Sequence, residues 1–289
     1  MRRKIIRQGS STLTLSLPAK WVKEHRLAAG DEVDVEESTD ALSIVPLGKV
    51  EKAGRIEVDV SSLFPLVNRV IRAKYVKGVD EISVKFKDAQ QLKDIQQRAL
   101  PDLLGYVIVE QTARSVLLRD VTHPAPEEFD VMFRRIFLLL VSMGDAFEKG
   151  EKEASESVLA MEQNINRNVN FCLRLCSKRV VHQSTAVQSA LVLLELLGDT
   201  WKEFANSAKG QLSAELRSLI GKYNRFFHSL YELWFEFEMQ KAVALGKKYQ
   251  ELEGLLSNPK VGSKDAERIS ILRKLSSNSV VLLGLLLSR

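Results

Sequence analysis

Residues 4–35, KIIRQGSSTLTLSLPAKWVKEHRLAAGDEVDV, decide how the chain begins. From Leu13 to Leu17 the alternation is strict: Leu13, Leu15 and Leu17 fall on one side, Thr12, Thr14 and Ser16 on the other, which is the period of a half-buried strand. Gln8-Gly9-Ser10-Ser11 supplies a turn, so Ile5-Ile6 and the Leu13 strand are expected to form a hairpin. A lone hairpin is marginal in water and needs a second layer or a second chain. Pro18 suits the first turn of a helix over Ala19 to Arg26, with Ser16 nearby as a cap. Gly30 fits a positive-φ turn that Asp31 caps. EVDVEE (32–37) and ALSIVPL (41–47) then pair across Ser38-Thr39-Asp40, so the segment reads β-β-α-β-β and ends near Gly48.

The net charge of the 289-residue chain is a modest +5, but it is unevenly spread. Residues 1–26 hold seven bases (Arg2, Arg3, Lys4, Arg7, Lys20, Lys23, Arg26) against one acid, Glu24, whereas residues 31–40 hold six acids and no base. So sharp a split marks a local electrostatic surface, and a basic cluster on a hairpin and its following helix points to a polyanion. Apolar and charged content are those of a globular protein with room for two or three domains. Cys172 and Cys176, four apart on a helix, read as buried thiols before a disulfide or a metal clip. No charged leader with an apolar core precedes the first strand. The longest apolar runs, Ile136 to Val141 and Val280 to Leu287, fall short of the roughly 20 residues a membrane span needs. A soluble, cytoplasmic protein without membrane insertion is expected.

Beyond Gly48 the pattern becomes mixed. RIEVDV (55–60) and EISVKF (81–86) read as strands, Leu63 to Lys77 as a helix interrupted early by Pro65, and Ala89 to Ala99 as a second helix. GYVIVEQ and SVLLRD close a hairpin across Thr112-Ala113-Arg114, giving a small α/β unit on four strands over residues 50–121. It contains no dinucleotide fingerprint, Walker loop or nucleophile elbow, and spacing or partner contact is its expected role. THPAPEEF (122–129) is a linker that ends in a helix start. From residue 126 to the end the period is helical, with breaks near Gly150, Ser177–Val181, Ala208–Gln211, Glu236–Ala242 and Asn258–Ser263. That spacing predicts six helices in two units of three. The aromatic stretch NRFFHSLYELWFEFEMQ (224–240) places Phe227, Tyr231 and Trp234 on one core stripe and leaves Phe235 and Phe237 off it, as a second face for a neighbouring chain.

The opening residues, from the basic strand through the Gly turn and Leu-Pro to Leu27-x-x-Gly30-Asp31-Glu32-Val33-x-Val35, resemble the swapped-hairpin DNA-binding domains of the AbrB/MazE/SpoVT family. The resemblance implies that two chains interlace their hairpins into one barrel, forming a homodimer on double-stranded DNA. Arg2, Arg3, Lys4, Arg7 and Gln8 on the first strand are then the contact candidates, supported by Thr12, Thr14, Lys20 and Lys23. Their chemistry fits, because arginine offers paired donors to phosphate or guanine while Lys and Thr hold the backbone.

The helical half is similar to the PhoU family of phosphate-uptake regulators, built from two three-helix repeats. LVLLELLGDTWKEFANSA (191–208) looks like the third helix of the first repeat, with its Glu-x-x-x-Asp signature on Glu195 and Asp199, and MEQNINRNVN (161–170) looks like the second, with Glu162 where an acid is common. Two carboxylates at that spacing share a helix face and could share a cation. The corresponding helix of the second repeat, residues 267–289, carries no carboxylate after Glu267, so half of a two-repeat metal cluster would be missing, and Glu195 and Asp199 read first as surface acids. No cofactor is expected, a divalent metal being the less favoured alternative.

The expected architecture is multidomain α+β: a swapped-hairpin half-barrel (1–48), a small α/β domain (50–121) and an all-α PhoU-like domain (126–289). The resemblances together imply a non-enzymatic transcriptional regulator of phosphate uptake, of an archaeal type. The alternative is a regulator that touches a phosphate transporter or signalling protein and uses its head to dimerise. A metal-dependent hydrolase ranks third, since His182 and His228 stand apart from any ligand spacing.

Overall fold

The computed structural model describes residues 2–9, 12–38, 41–46, 55–122, 124–178, 180–181, 183–208, 212–259 and 262–288. The expected turns through Ser10-Ser11 and Thr39-Asp40, and His182, lie outside these residues. Strands β1 (Ile6–Gln8) and β2 (Thr12–Thr14) form the antiparallel hairpin that the alternation predicts, with Ile6 opposite Thr14 and Arg7 opposite Leu13. Helix α1 (Ala19–Glu24) begins directly after Pro18, whose missing N–H costs nothing there. Its end is set by Arg26 at φ 52 and by Gly30 at φ 98, and Asp31 Oδ2 accepts from the Ala28 N–H at 2.9 Å. Strands β3 (Val33–Ser38) and β4 (Ala41–Pro46) then pair antiparallel.

The chain divides into two compact units, residues 1–54 and 55–289. The second opens with β5 (Arg55–Asp59), α2 (Val67–Val76), β6 (Glu81–Lys85), α3 (Ala89–Asp94), β7 (Tyr106–Gln111) and β8 (Ser115–Asp120). Their sheet has the order β5-β6-β8-β7, with β5 parallel to β6 through the α2 crossover and the other pairs antiparallel. Helix α2 starts four residues later than the period alone indicates, because Pro65 disfavours a helical Phe64 and turns residues 63–66 back on themselves. After α3 the chain continues through a single π-turn, Ile95–Ala99, into Pro101.

Six helices follow among the described residues: α4 (Glu127–Lys149), α5 (Ala154–Ser177), α6 (Thr185–Ser207), α7 (Ala214–Phe235), α8 (Met239–Ser257) and α9 (Ala266–Leu287). Each break falls where polarity interrupts the helical period. Gly150 ends α4 in the left-handed region at φ 69, and Ser184 and Ser213 cap α6 and α7 by accepting from Val187 and Leu216 N–H. The bundle core is aromatic: Trp201 stacks on Phe147 at 5.8 Å and meets Phe204 and Tyr223 edge-on. Tyr223 reaches Ser279 on α9 at 3.0 Å, so its buried hydroxyl stays satisfied. Gly144 and Gly221 let α4 and α7 approach; a Cβ at either would collide with Asn224 or Glu148. Residues 263–287 are long and apolar enough to cross a membrane by composition, but half of that window is buried within the protein, as in a core helix.

The α/β segment and the helices form one unit because α5 sends a cation into the sheet. Arg174, 2% exposed, donates from Nη1 to the carbonyls of Tyr75 and Val79 at 2.8 Å, and from Nη2 to Asp80 at 2.8 Å and Asp120 at 2.7 Å. Its guanidinium carbon lies 4.8 Å from the Tyr75 ring centroid and 5.2 Å from that of Tyr106. Lys178, one turn on, adds a bond to Asp80 at 2.6 Å, and Arg167 donates to the Pro101 carbonyl at 2.7 Å. Burial pulls the Asp120 carboxyl upward, but hydrogen bonds from Thr122 and Arg174 outweigh it and leave the group below the usual aspartate range.

Arg174→Leu would strand Asp120, 5% exposed, without its counter-charge, and should lower stability in urea by about 3 kcal/mol. Because the folded carboxyl titrates below the unfolded value of about 3.9, its stabilisation is complete above that pH and is lost as pH falls through the folded value. The Leu variant should lack most of this acid-side loss. A variant with the parent's midpoint would show that the joint does not depend on Arg174.

Candidate nucleic-acid interface

Among the described residues, the cationic side chains of the first unit are all exposed. Arg2, Arg3 and Lys4 precede β1, Arg7 and Gln8 lie on it, Thr12 and Thr14 occupy β2, and Lys20 and Lys23 project from α1; of these only Thr14 is partly covered. Among the described residues, Lys20 has a carboxylate neighbour in Glu24 at 3.8 Å, a well-exposed pair of little energetic weight. Thr14 donates to the Ile6 carbonyl at 3.2 Å and so also fastens the hairpin.

The register divides the sequence-predicted set. Directly opposed residues share a face of the hairpin, so Arg7 stands with Leu13 on one side, while Gln8, Thr12 and Thr14 stand with Ile6 on the other. Alternation along β2 alone does not show this, because it says nothing of which β1 residue lies opposite. Neither face is purely apolar or purely polar.

No described side chain in this unit is buried. Leu13 is 64% and Leu15 52% exposed, and Ile5, Ile6, Val35 and Leu42 are exposed as well. The nearest approach to a core is the half-buried group of Leu17, Trp21, Val22 and Leu27 around α1, where Trp21 meets the His25 ring at 4.7 Å. So many bare aliphatic side chains on a short segment mark a surface built to be covered.

Residues 6–52 match the family described as Antidote-toxin recognition MazE, bacterial antitoxin. The N-terminal unit carries a MazE/AbrB-type domain. No curated protein and no solved structure matches the chain. In the MazE-type domain the match runs from β1 through β4, so the hairpin, α1 and the acidic strand pair belong to one pattern.

Elsewhere, Glu195 and Asp199 have different surroundings. Both Glu195 oxygens accept from Arg72 Nη2, at 2.5 and 2.8 Å, across the joint between α2 and α6. Asp199 instead faces an open surface with Lys202 and Glu203. Among the described residues no group of three His, Cys, Asp or Glu side chains is arranged to hold a metal. Glu162, almost fully buried, accepts from Lys202 at 3.0 Å and from Asn166 at 2.7 Å. His228 approaches Glu232 at 3.6 Å on its own helix. Burial pushes the Cys172 thiol up strongly and Cys176 up to about 11, so both remain neutral thiols.

Arg72 has no sequence signal that would tie it to Glu195, since the two are 123 residues apart. Glu195→Gln should lower stability by about 1 kcal/mol, as expected for a partly exposed ion pair in which one guanidinium nitrogen serves both carboxylate oxygens. Magnesium or a chelator should leave the parent's melting temperature unchanged. A magnesium-dependent rise that vanishes in Glu195→Gln would place a metal at this position.

Proposed function

We propose that the chain is a non-enzymatic transcriptional regulator that binds double-stranded DNA as a homodimer through residues 1–48. One observation carries the reading: among its described residues the basic unit exposes its cations together with Leu13 and Leu15 and buries no side chain of its own. A second copy of the hairpin would cover Leu13 and Leu15 and would double the number of arginines available to phosphate. The MazE-type match over residues 6–52 supports the same conclusion.

The helical half is the sensing or docking part on this reading, and phosphate uptake is the process assigned to it by its likeness to PhoU. The six consecutive helices from Glu127 to Leu287 agree in number with that likeness. An effector or partner protein acts on DNA binding only by favouring one arrangement of the dimer over another. A second reading keeps the head for dimerisation and has the bundle touch a phosphate transporter or signalling protein directly.

A mobility-shift titration with random-sequence and upstream duplexes separates the two readings. With about six phosphate contacts, affinity should fall about 10³-fold between about 50 and 200 mM salt. Arg3→Ala with Arg7→Ala should abolish the shift while sedimentation still reports a dimer. Leu13→Asp with Leu15→Asp should yield a monomer that no longer shifts DNA. If the arginine variant binds duplex like the parent, the DNA reading fails and the docking reading stands.

A further inference from the structure

Arg217 of α7 carries a charge that no described side chain answers. The residue is partly buried, its Nε is shut from water without an acceptor, and among the described residues its guanidinium forms neither an ion pair nor a hydrogen bond. Other cations at this end of the bundle are matched: Lys149 lies 3.5 Å from Asp145, and Arg225 lies 2.9 Å from Glu148. A partly desolvated guanidinium without a counter-charge costs free energy that an anion recovers. The side chain lies along Gly150, where a Cβ would stand 3.0 Å from Nη1. Glycine at the end of α4 therefore provides both the turn at φ 69 and the room for the fork.

Arg217 borders a cavity of about 110 Å³ between the α4–α5 turn and the start of α7, with Gly150, Glu151, Lys152, Ser155 and Leu212 on its walls. That space holds about three waters or one small ion, and it falls far short of the roughly 300 Å³ at which sites for drug-sized ligands begin. Lys152 is exposed and, among the described residues, has no ion pair, so it supplies a second open cation. Ser155 adds a hydroxyl that can donate. Glu151 is the acid on this wall among the described residues, and it pairs with neither cation. Its carboxylate repels an oxyanion that is fully ionised and accepts a hydrogen bond from one that keeps a proton.

We infer that this cavity binds inorganic phosphate as the hydrogen phosphate ion, with Arg217 and Lys152 meeting its charge, Ser155 donating to an oxygen and Glu151 accepting from the retained proton. Sulfate has the same shape and charge but no proton to give, so Glu151 discriminates against it. A phosphomonoester presents similar oxygens, but the cavity leaves no room for a sugar and a base. The site gives the sensing part proposed above an effector, yet it stands without the DNA-binding reading, because its walls lie within residues 147–217 and the titration contains no DNA.

Isothermal titration of the full chain at constant ionic strength in chloride, with phosphate, sulfate and adenosine monophosphate in separate runs, tests it. Phosphate should saturate one site per chain at about millimolar or below, with the other two about tenfold or more weaker. Lys152→Ala, a change at an exposed position, and Arg217→Gln should each weaken phosphate by about tenfold or more, and Glu151→Gln should bring sulfate to within about threefold of phosphate. The Arg3→Ala, Arg7→Ala variant should bind phosphate like the parent, which separates this site from the basic head. No saturation of the parent by about 10 mM phosphate, sulfate or adenosine monophosphate binding as tightly as phosphate, an unchanged affinity in Lys152→Ala, or loss of binding in the head variant would each overturn the assignment.

Discussion

A guanidinium withdrawn from water keeps its charge, so every donor and the charge itself must be answered by the protein. Arg174 meets that condition only while α5 and the sheet stay together: two carbonyls come from Tyr75 at the end of α2 and Val79 in the turn after it, two carboxylates from Asp80 and Asp120, and two aromatic faces from Tyr75 and Tyr106. Every partner belongs to the α/β segment and the cation to the bundle. Separation of the two would expose buried carboxylates and a buried cation at once, so residues 55–289 behave as one piece. Arg72 on Glu195 and Arg167 on the Pro101 carbonyl repeat the theme with more exposed partners. The joint is rich in polar contacts, which give it orientation as well as strength, since charged fans tolerate little sliding.

The first unit meets the opposite condition. It has no interior ion pair of this kind and no buried apolar cluster among its described residues, while the second unit has two. Short strands and a six-residue helix do not enclose enough volume to remove Leu13 and Leu15 from water. The two units therefore differ in what completes them. One is finished by its own side chains, and the other calls for a surface from outside.

Much of this was legible in the residues. Helix breaks at Gly150, after Ser177 and at the Glu236 loop follow from local chemistry, and so do the four strands of the middle segment, because each depends on periods and turn residues within a dozen positions. The long-range polar contacts were not legible. Arg174 stands in the run Leu173-Arg174-Leu175, where an arginine on a helix reads as surface, and only the position of the sheet buries it. Glu195 reads first as a surface acid, and no local pattern ties it to Arg72, 123 residues away. In the hairpin, alternation gave the faces of β2 but not their partners on β1, since register depends on turn geometry as well as period. Likewise the stripe Phe227, Tyr231, Trp234 packs toward the core, whereas the position of Phe235 beneath Arg134 depends on α4, about a hundred residues earlier in the chain.

Charge and apolar cover act together in the proposed dimer. The affinity of a cationic surface for duplex DNA grows with the number of phosphates it neutralises, and it enters as an exponent on salt. One copy, with Arg2, Arg3, Lys4 and Arg7, has few such contacts. Two copies joined through their leucines would double the count and hold it at a set separation, so that the ordering cost is met by burial before DNA arrives. Removing the leucines and removing the arginines should then fail for different reasons, one by dispersing the cations and the other by emptying a surface that remains assembled.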